Sequence, residues 1–399
     1  MSAPISHRFP ALDGVRSFAA FAVVCTHVGF ISGRSLRSDL LGPILSRGDF
    51  GVALFFVLSG FLLYRPFALH VLAGAPRPRP VRFLWRRAMR ILPALALFVL
   101  VTLTFITPYR VRASDYLQYL LLIQTYDHHD YDPNLAQLWT LAIEMSFYLL
   151  LPVLGALMAR FAGSMRQALA SQAVLLAVLA VVPVSFNLYQ LHYLQGSQAL
   201  LWLPAYGDWF AIGMGLAVLS CIPRTEPVAA GLHRVLGEWA AAPGTCWLIA
   251  AVLYLISSLP LGNPRTLAPA LFWQWTAQHA LYGAAAFFVM LPLILGQHPQ
   301  LDRVLGGRIA RFGGNISYSV YLWHVPLMPK VQTALGYHEF DGHFVGLLAA
   351  TLGCSVAAAT ASWYLLERPV LRYATVPWRR SARQLGPIAP STIAARQSS

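Results

Sequence analysis

Long apolar runs alternate along the chain with short polar connections that are rich in arginine and proline. Ten segments approach the ~20 apolar residues a helix needs to cross a bilayer, at 12–32, 48–69, 91–109, 137–159, 168–188, 199–221, 244–261, 277–296, 313–335 and 343–366. The pattern predicts an all-α polytopic membrane protein with about ten transmembrane helices. Residues 115–125 (DYLQYLLLIQT) are too short to cross and are expected at the membrane interface. The first run carries Asp13 and Arg16, lacks a small-x-small cleavage site and is followed by further spans, so it is expected to persist as a helix, not to be removed as a signal peptide. Neither an internal repeat nor a linker to a second globular domain is visible. One membrane domain is expected over residues 1–376, and the Arg-, Ser- and Ala-rich residues 377–399 read as a disordered cytoplasmic tail.

Composition agrees with a membrane as solvent. With 57% hydrophobic and only 11% charged residues in 399, and a mean hydropathy of +0.57, the chain is too apolar for a soluble domain of this size. The formal charge of +14 does not point to nucleic acid, because the arginines lie between apolar spans and not on an amphipathic surface. Topology explains them. With ten spans, 21 arginines fall on the side of the N-terminus and six on the other (Arg34, Arg37, Arg47, Arg110, Arg112, Arg265), so both termini are expected in the cytoplasm. The most basic loop, AGAPRPRPVRFLWRRAMRILP, is read as a stiff extended piece at 76–80 leading into a helix that carries Arg87 and Arg90 on one face. The four cysteines sit within apolar runs without metal-ligand spacing, so neither a disulfide framework nor a metal site is expected.

Charged residues inside spans are expensive and are functional candidates. In LDGVRSFAAFAVVCTH (12–27), Arg16 and His27 are eleven residues apart, three helical turns plus about 20°, so they share a face at separate depths. Two readings stand: Arg16 snorkels to the headgroups while His27 bonds a neighbouring carbonyl, or both serve a site. Asp13, one turn from Arg16, reads as its partner. In QLWTLAIEMSFYLLLP, Gln137, Thr140 and Glu144 form one stripe, and Glu144 is expected at the depth of His27, either as a structural hydrogen bond or as the group that orients the imidazole. In GGNISYSVYLWHVPL, Ser317, Tyr321 and His324 form a stripe that suits interhelical hydrogen bonding or catalysis. Ser59-Gly60, in GVALFFVLSGFLL, is a small-residue notch suited to close helix packing.

In this order the motifs resemble the acyltransferase-3 family of integral membrane O-acyltransferases over essentially the whole chain: LDGVRSFAAFAVVCTH and GVALFFVLSGFLL in the first two helices, Arg87-Ala88-Met89-Arg90, Trp139 and Glu144 in LWTLAIEMSFYLLLP, ISYSVYLWHVPL, and Glu367-Arg368-Pro369. Ala53 departs from the pattern where many members carry an acid, and no SGNH-type esterase domain follows, so a stand-alone form is expected. The resemblance implies transfer of an acyl group, commonly acetyl, from cytoplasmic acyl-coenzyme A (acetyl-CoA above all) to a hydroxyl of a carbohydrate or glycolipid in the bacterial inner (plasma) membrane, without metal or nucleic acid. His27 would be the essential histidine, with Glu144, Tyr321 and Ser317 as further catalytic candidates. Arg16, Arg87 and Arg90, with Asp13, would bind the donor, and Ser59, Trp139 and His324 would line the substrate pocket. A cell-envelope glycan, a trehalose mycolate or a macrolide sugar would each serve as acceptor. The rival readings are a relay that hands the acyl group to another protein, and a transporter, which the absence of matching halves disfavours.

Overall fold

The computed structural model describes residues 9–126, 132–194, 198–223, 226–259 and 271–374. Every regular element among them is helical. The helices are α1 (Leu12–Ile31), α2 (Leu41–Leu45), α3 (Phe50–Ala73), α4 (Pro80–Val101), α5 (Ala113–Leu121), α6 (Leu138–Arg160), α7 (Met165–Tyr193), α8 (Gly207–Cys221), α9 (Ala230–Ala240), α10 (Pro243–Ser257), α11 (Phe272–Leu295), α12 (Pro299–Leu305), α13 (Arg308–Ala334), α14 (Phe344–Ser362) and α15 (Arg368–Ala374). π-helical turns extend α4 at Thr102–Ile106 and join α14 to α15 at Trp363–Glu367. The tail from 377, and Arg8, Arg224 and Arg265 of the arginine tally, lie outside the described residues.

Local chemistry sets the boundaries. Pro80, Pro243 and Pro299 open α4, α10 and α12, where their missing N–H is no loss, and Ser164 caps α7 by accepting from the Gln167 N–H. Gly74 ends α3 with φ +65°, a left-handed conformation that suits glycine. Prolines inside spans free carbonyls that other groups must satisfy. Pro326 leaves the Leu322 carbonyl without its helical donor, and the Gln137 side-chain amide takes it at 2.6 Å. That bond ties the start of α6 to the middle of α13.

Small residues let the central helices touch. A Cβ at Gly60 of α3 would stand 2.3 Å from the Phe210 carbonyl oxygen, and one at Gly213 of α8 would stand 2.0 Å from the Val57 carbonyl oxygen, so only glycine allows this approach. Gly314 of α13 meets the Asp13 backbone of α1 in the same way, at 2.6 Å. At the edge of this centre α7 leaves Val174, Val178 and Val181 exposed as a lipid-facing surface would be.

Among the described residues, seven helices are long and apolar enough to cross a membrane, or eight if α9 and α10, bent by 82° at their junction, count as one broken span. The sequence reading expected about ten. The difference lies in 199–221, 244–261 and 313–335. Pro204 breaks the first into short 3-10 turns, leaving α8 with 15 residues, about 22 Å of helix. The second yields α10, also of 15 residues. The third is α13, of ample length at 27 residues but polar along one side. Residues 115–125 overlap the nine-residue α5 (Ala113–Leu121), which is too short to cross.

Candidate active site

Five helices, α1, α3, α4, α6 and α13, wall a cavity of about 110 Å³. Arg16 enters it from α1, Arg87 and Arg90 from one face of α4, and Ser59 from α3. Thr140, Glu144 and Tyr148 recur at four-residue spacing on α6, and Ser317, Tyr318 and Tyr321 come from α13. Aliphatic and aromatic side chains of α3, among them Val52, Phe55 and Leu62, close the rest. Three guanidinium groups face one carboxylate on this wall, a formal surplus of two positive charges.

The pairing within the cavity is specific. Glu144 accepts a hydrogen bond from Ser59 and another from Tyr148, and it interacts electrostatically with Arg87. Arg16 lies 3.9 Å from Asp13 and within charge range of Arg87 and Arg90. Arg87 Nε is buried without a hydrogen-bond partner among the described residues, an unsatisfied donor that an anionic ligand would complete. Arg90 has a second acid in range, Glu367, which is 2% exposed and accepts from Ser319 and Ser362. Ser317 donates to the Gly314 carbonyl at 2.9 Å, so its proton is committed to the helix backbone. The Tyr321 hydroxyl lies 2.9 Å from Thr140 Oγ1 and donates to the Gln137 carbonyl at 3.3 Å.

His27 sits elsewhere. Three turns beyond Arg16, roughly 16 Å along α1, its Nδ1 lies 2.8 Å from Nε2 of His324 on α13. The other nitrogen of His324, Nδ1, is 3.2 Å from the Val320 carbonyl oxygen. His324 is completely enclosed at 0% exposure, whereas His27 is half-buried. Neither histidine lines the arginine cavity; the Tyr321 ring stands between, one side on the cavity and 5.6 Å from the His324 ring.

Sequence reasoning paired His27 with Glu144. In the fold α6 turns Glu144 toward the arginines of α4, where the opposite charge is, and α13 supplies the partner of His27 instead. Arg16, Arg87, Arg90, Glu144, Ser59, Ser317 and Tyr321 come together on one cavity; Trp139 does not join them and packs on Tyr206 at 5.4 Å. Sequence reasoning passed over Tyr148 and Tyr318, although Tyr148 lies one turn from Glu144 and could have been read from that spacing. It also passed over a second polar cluster, in which His279 bonds Asp208 at 2.8 Å between the rings of Trp209 and Trp275. A histidine and an aspartate inside separate apolar runs were the available signal. Among the described residues no group of three or more His, Cys, Asp or Glu is placed to hold a metal ion, and all four cysteines are free thiols.

The acyltransferase domain of the family Acyl_transf_3 matches residues 9–365. Curated relatives include the exopolysaccharide production protein ExoZ of Rhizobium meliloti, 26% identical over 84% of this chain and 93% of its own length. Nodulation protein 10 of Rhizobium leguminosarum bv. viciae is 24% identical over 91% of this chain and 93% of its own. The O-acetyltransferase OatA of Staphylococcus aureus is 23% identical over 81% of this chain, which spans only 51% of OatA. No solved structure matches the chain. With the match covering nearly all the helices and every wall of the cavity, the chain belongs to the acyltransferase-3 family and is an integral, multi-pass membrane O-acyltransferase.

Proposed function

We propose that this enzyme moves an acyl group, acetyl in the simplest case, from cytoplasmic acyl-coenzyme A to a hydroxyl of a cell-envelope glycan or glycolipid such as a trehalose mycolate, in the bacterial plasma membrane. The observation that carries the reading is the arginine cavity beneath His27. Coenzyme A is a polyanion with its thioester at the end of a long arm. Arg16, Arg87 and Arg90 offer guanidinium donors for its phosphates, and the unsatisfied Arg87 Nε is one such donor. The arm then runs along α1 toward His27, which removes the acceptor's proton as the hydroxyl oxygen attacks the thioester carbonyl and returns it to the leaving sulfur. The C–O bond forms, the C–S bond breaks, and His27 ends as it began.

Glu144 and Asp13 hold the guanidinium groups in place. Tyr321, between cavity and histidine, offers a hydroxyl beside the proposed course of the acyl group, and Ser317 would serve as nucleophile only after releasing the Gly314 carbonyl. The acceptor's class follows the relatives: OatA is named an O-acetyltransferase and ExoZ an exopolysaccharide production protein. A macrolide sugar is the alternative acceptor.

The reading places ten passes in the membrane with both termini in the cytoplasm. Helix direction supports the pass count: Gly213 and Cys221 of α8 meet Val57 and Arg65 of α3 in the same order, so the two run parallel, and α13 follows α1 from Asp13–Gly314 to His27–His324. Short α8 and polar α13 are shielded by neighbours instead of lipid, which relaxes the length and hydropathy each needs.

The test is purified enzyme in nanodiscs with isotope-labelled acetyl-CoA and envelope glycolipids, followed by mass spectrometry. Label on the acceptor hydroxyl supports direct transfer. Label that leaves acetyl-CoA only when a second protein is added would establish the relay, and no CoA turnover with any acceptor would overturn the reading.

A further inference from the structure

The bond between His27 and His324 has a direction, and surrounding groups fix it. The rings are 13° from parallel with centroids 5.1 Å apart, a separation that exceeds the 2.8 Å between the facing nitrogens by about two ring radii. The rings therefore lie nearly in one plane, edge to edge, with the proton on the line between a donor N–H and an acceptor lone pair. Two nitrogens in that geometry share one proton.

Which nitrogen owns it follows from Val320. A carbonyl oxygen only accepts, so the 3.2 Å contact from His324 Nδ1 requires the proton on that nitrogen. The neutral ring then has its lone pair on Nε2, and the proton shared with His27 belongs to His27 Nδ1. The reverse arrangement would set an unprotonated Nδ1 lone pair against the carbonyl lone pairs in a place with no exposure, leaving that nitrogen without a donor where water has no access. We infer that His324 is a positioning residue that holds His27 in its Nδ1–H tautomer, presenting Nε2 as the nitrogen with a free lone pair. This rests on the assignment of His27 as base made above, and it says which atom of His27 acts.

The division of labour fits the exposures. His324 is enclosed and reaches no substrate, while His27 is half-buried and keeps one edge open. When the acceptor's proton arrives on Nε2, the Nδ1–H bond to His324 becomes charge-assisted and strengthens. The proton leaves from Nε2 to the departing sulfur, so none passes through His324.

Nitrogen-15 NMR of wild-type enzyme in nanodiscs, with His27 assigned from His27→Gln, reads the tautomer directly. A protonated Nδ1 and an unprotonated Nε2 are expected; the opposite assignment would overturn the inference. Kinetics give a second reading that does not depend on spectra. His324→Phe keeps the enclosed ring but removes the acceptor, and kcat should fall about 10²- to 10³-fold with the KM for acetyl-CoA unchanged. His324→Gln restores an acceptor oxygen and should recover at least tenfold of that loss. Equal kcat in the Phe and Gln variants would overturn the positioning role. An active His27→Ala enzyme would instead sink the base assignment, and the tautomer spectrum separates that failure from this one.

Discussion

Two polar regions share α1 and α13 and are built on opposite principles. The arginine cavity is rich in charge: three guanidinium groups, one carboxylate and several hydroxyls stand around open volume, and the Arg87 Nε has no partner among the described residues. The histidine pair contains two imidazole rings, a carbonyl and no exposure on the His324 side. The first can bind because its donors outnumber their internal acceptors. The second can orient because its donors and acceptors are matched one to one. A ligand site needs unfinished hydrogen bonds, whereas a base needs a single unfinished lone pair.

The contrast can be broken at its common support. Gly314→Val puts a side chain against the Asp13 backbone, forcing α13 away from α1 and disturbing both regions together. It should cost about 1–3 kcal/mol of stability by overpacking and abolish transfer, read by thermal melts in nanodiscs and by acetyl-CoA turnover. Unchanged melting and activity would mean the helices can part without consequence.

A change confined to the histidine region should lower turnover alone. His27→Ala is expected to reduce kcat by about 10²- to 10⁴-fold, the usual range for a general base, while equilibrium binding of CoA is retained. Loss of CoA binding in this variant would place the donor on His27 itself.

A change confined to the cavity should do the converse. Arg87→Gln with Arg90→Gln should raise the KM for acetyl-CoA about 10²-fold, since hydrogen bonds to charged groups contribute about 1.5–3 kcal/mol each, and should flatten the dependence of that KM on ionic strength. A defect restricted to the acceptor's KM would contradict the assignment. The smallest effect is expected from Glu144→Gln, which keeps an acceptor for Ser59 but removes the only carboxylate among the described residues of the cavity wall. The donor's KM should change by roughly fivefold, about 1 kcal/mol, and the pH profile of kcat should superimpose on that of wild type because His27 bonds His324 and not Glu144. A displaced profile would restore the direct link between Glu144 and His27.

Much of the cavity was legible in the chain because its determinants are local. Arg16 in an apolar run, Arg87 and Arg90 one turn apart, and the Thr140–Glu144 stripe each declare a polar face by period and by the cost of charge in a membrane. What period cannot supply is rotation between helices. The depth of Glu144 follows from its place on α6, but whether it turns toward His27 or toward Arg87 depends on how α6 sits between α3 and α4, and that depends on contacts such as Gly155 against Phe67. Span number was legible only in part, for a related reason. Length and hydropathy measure what a helix needs against lipid, and α8 and α13 are covered largely by protein.

The sequence by itself determined the all-helical membrane class, the arginine face of α4 and the separation of Arg16 from His27, because each depends on residues within a few turns of one another. Only the tertiary structure decided that His27 meets a histidine 297 positions away, that Tyr321 divides that pair from the cavity, and that Glu144 belongs to the arginines. Those outcomes are set by close packing at Gly60, Gly213 and Gly314, where the absence of a Cβ fixes helix spacing and rotation, and therefore which side chains meet.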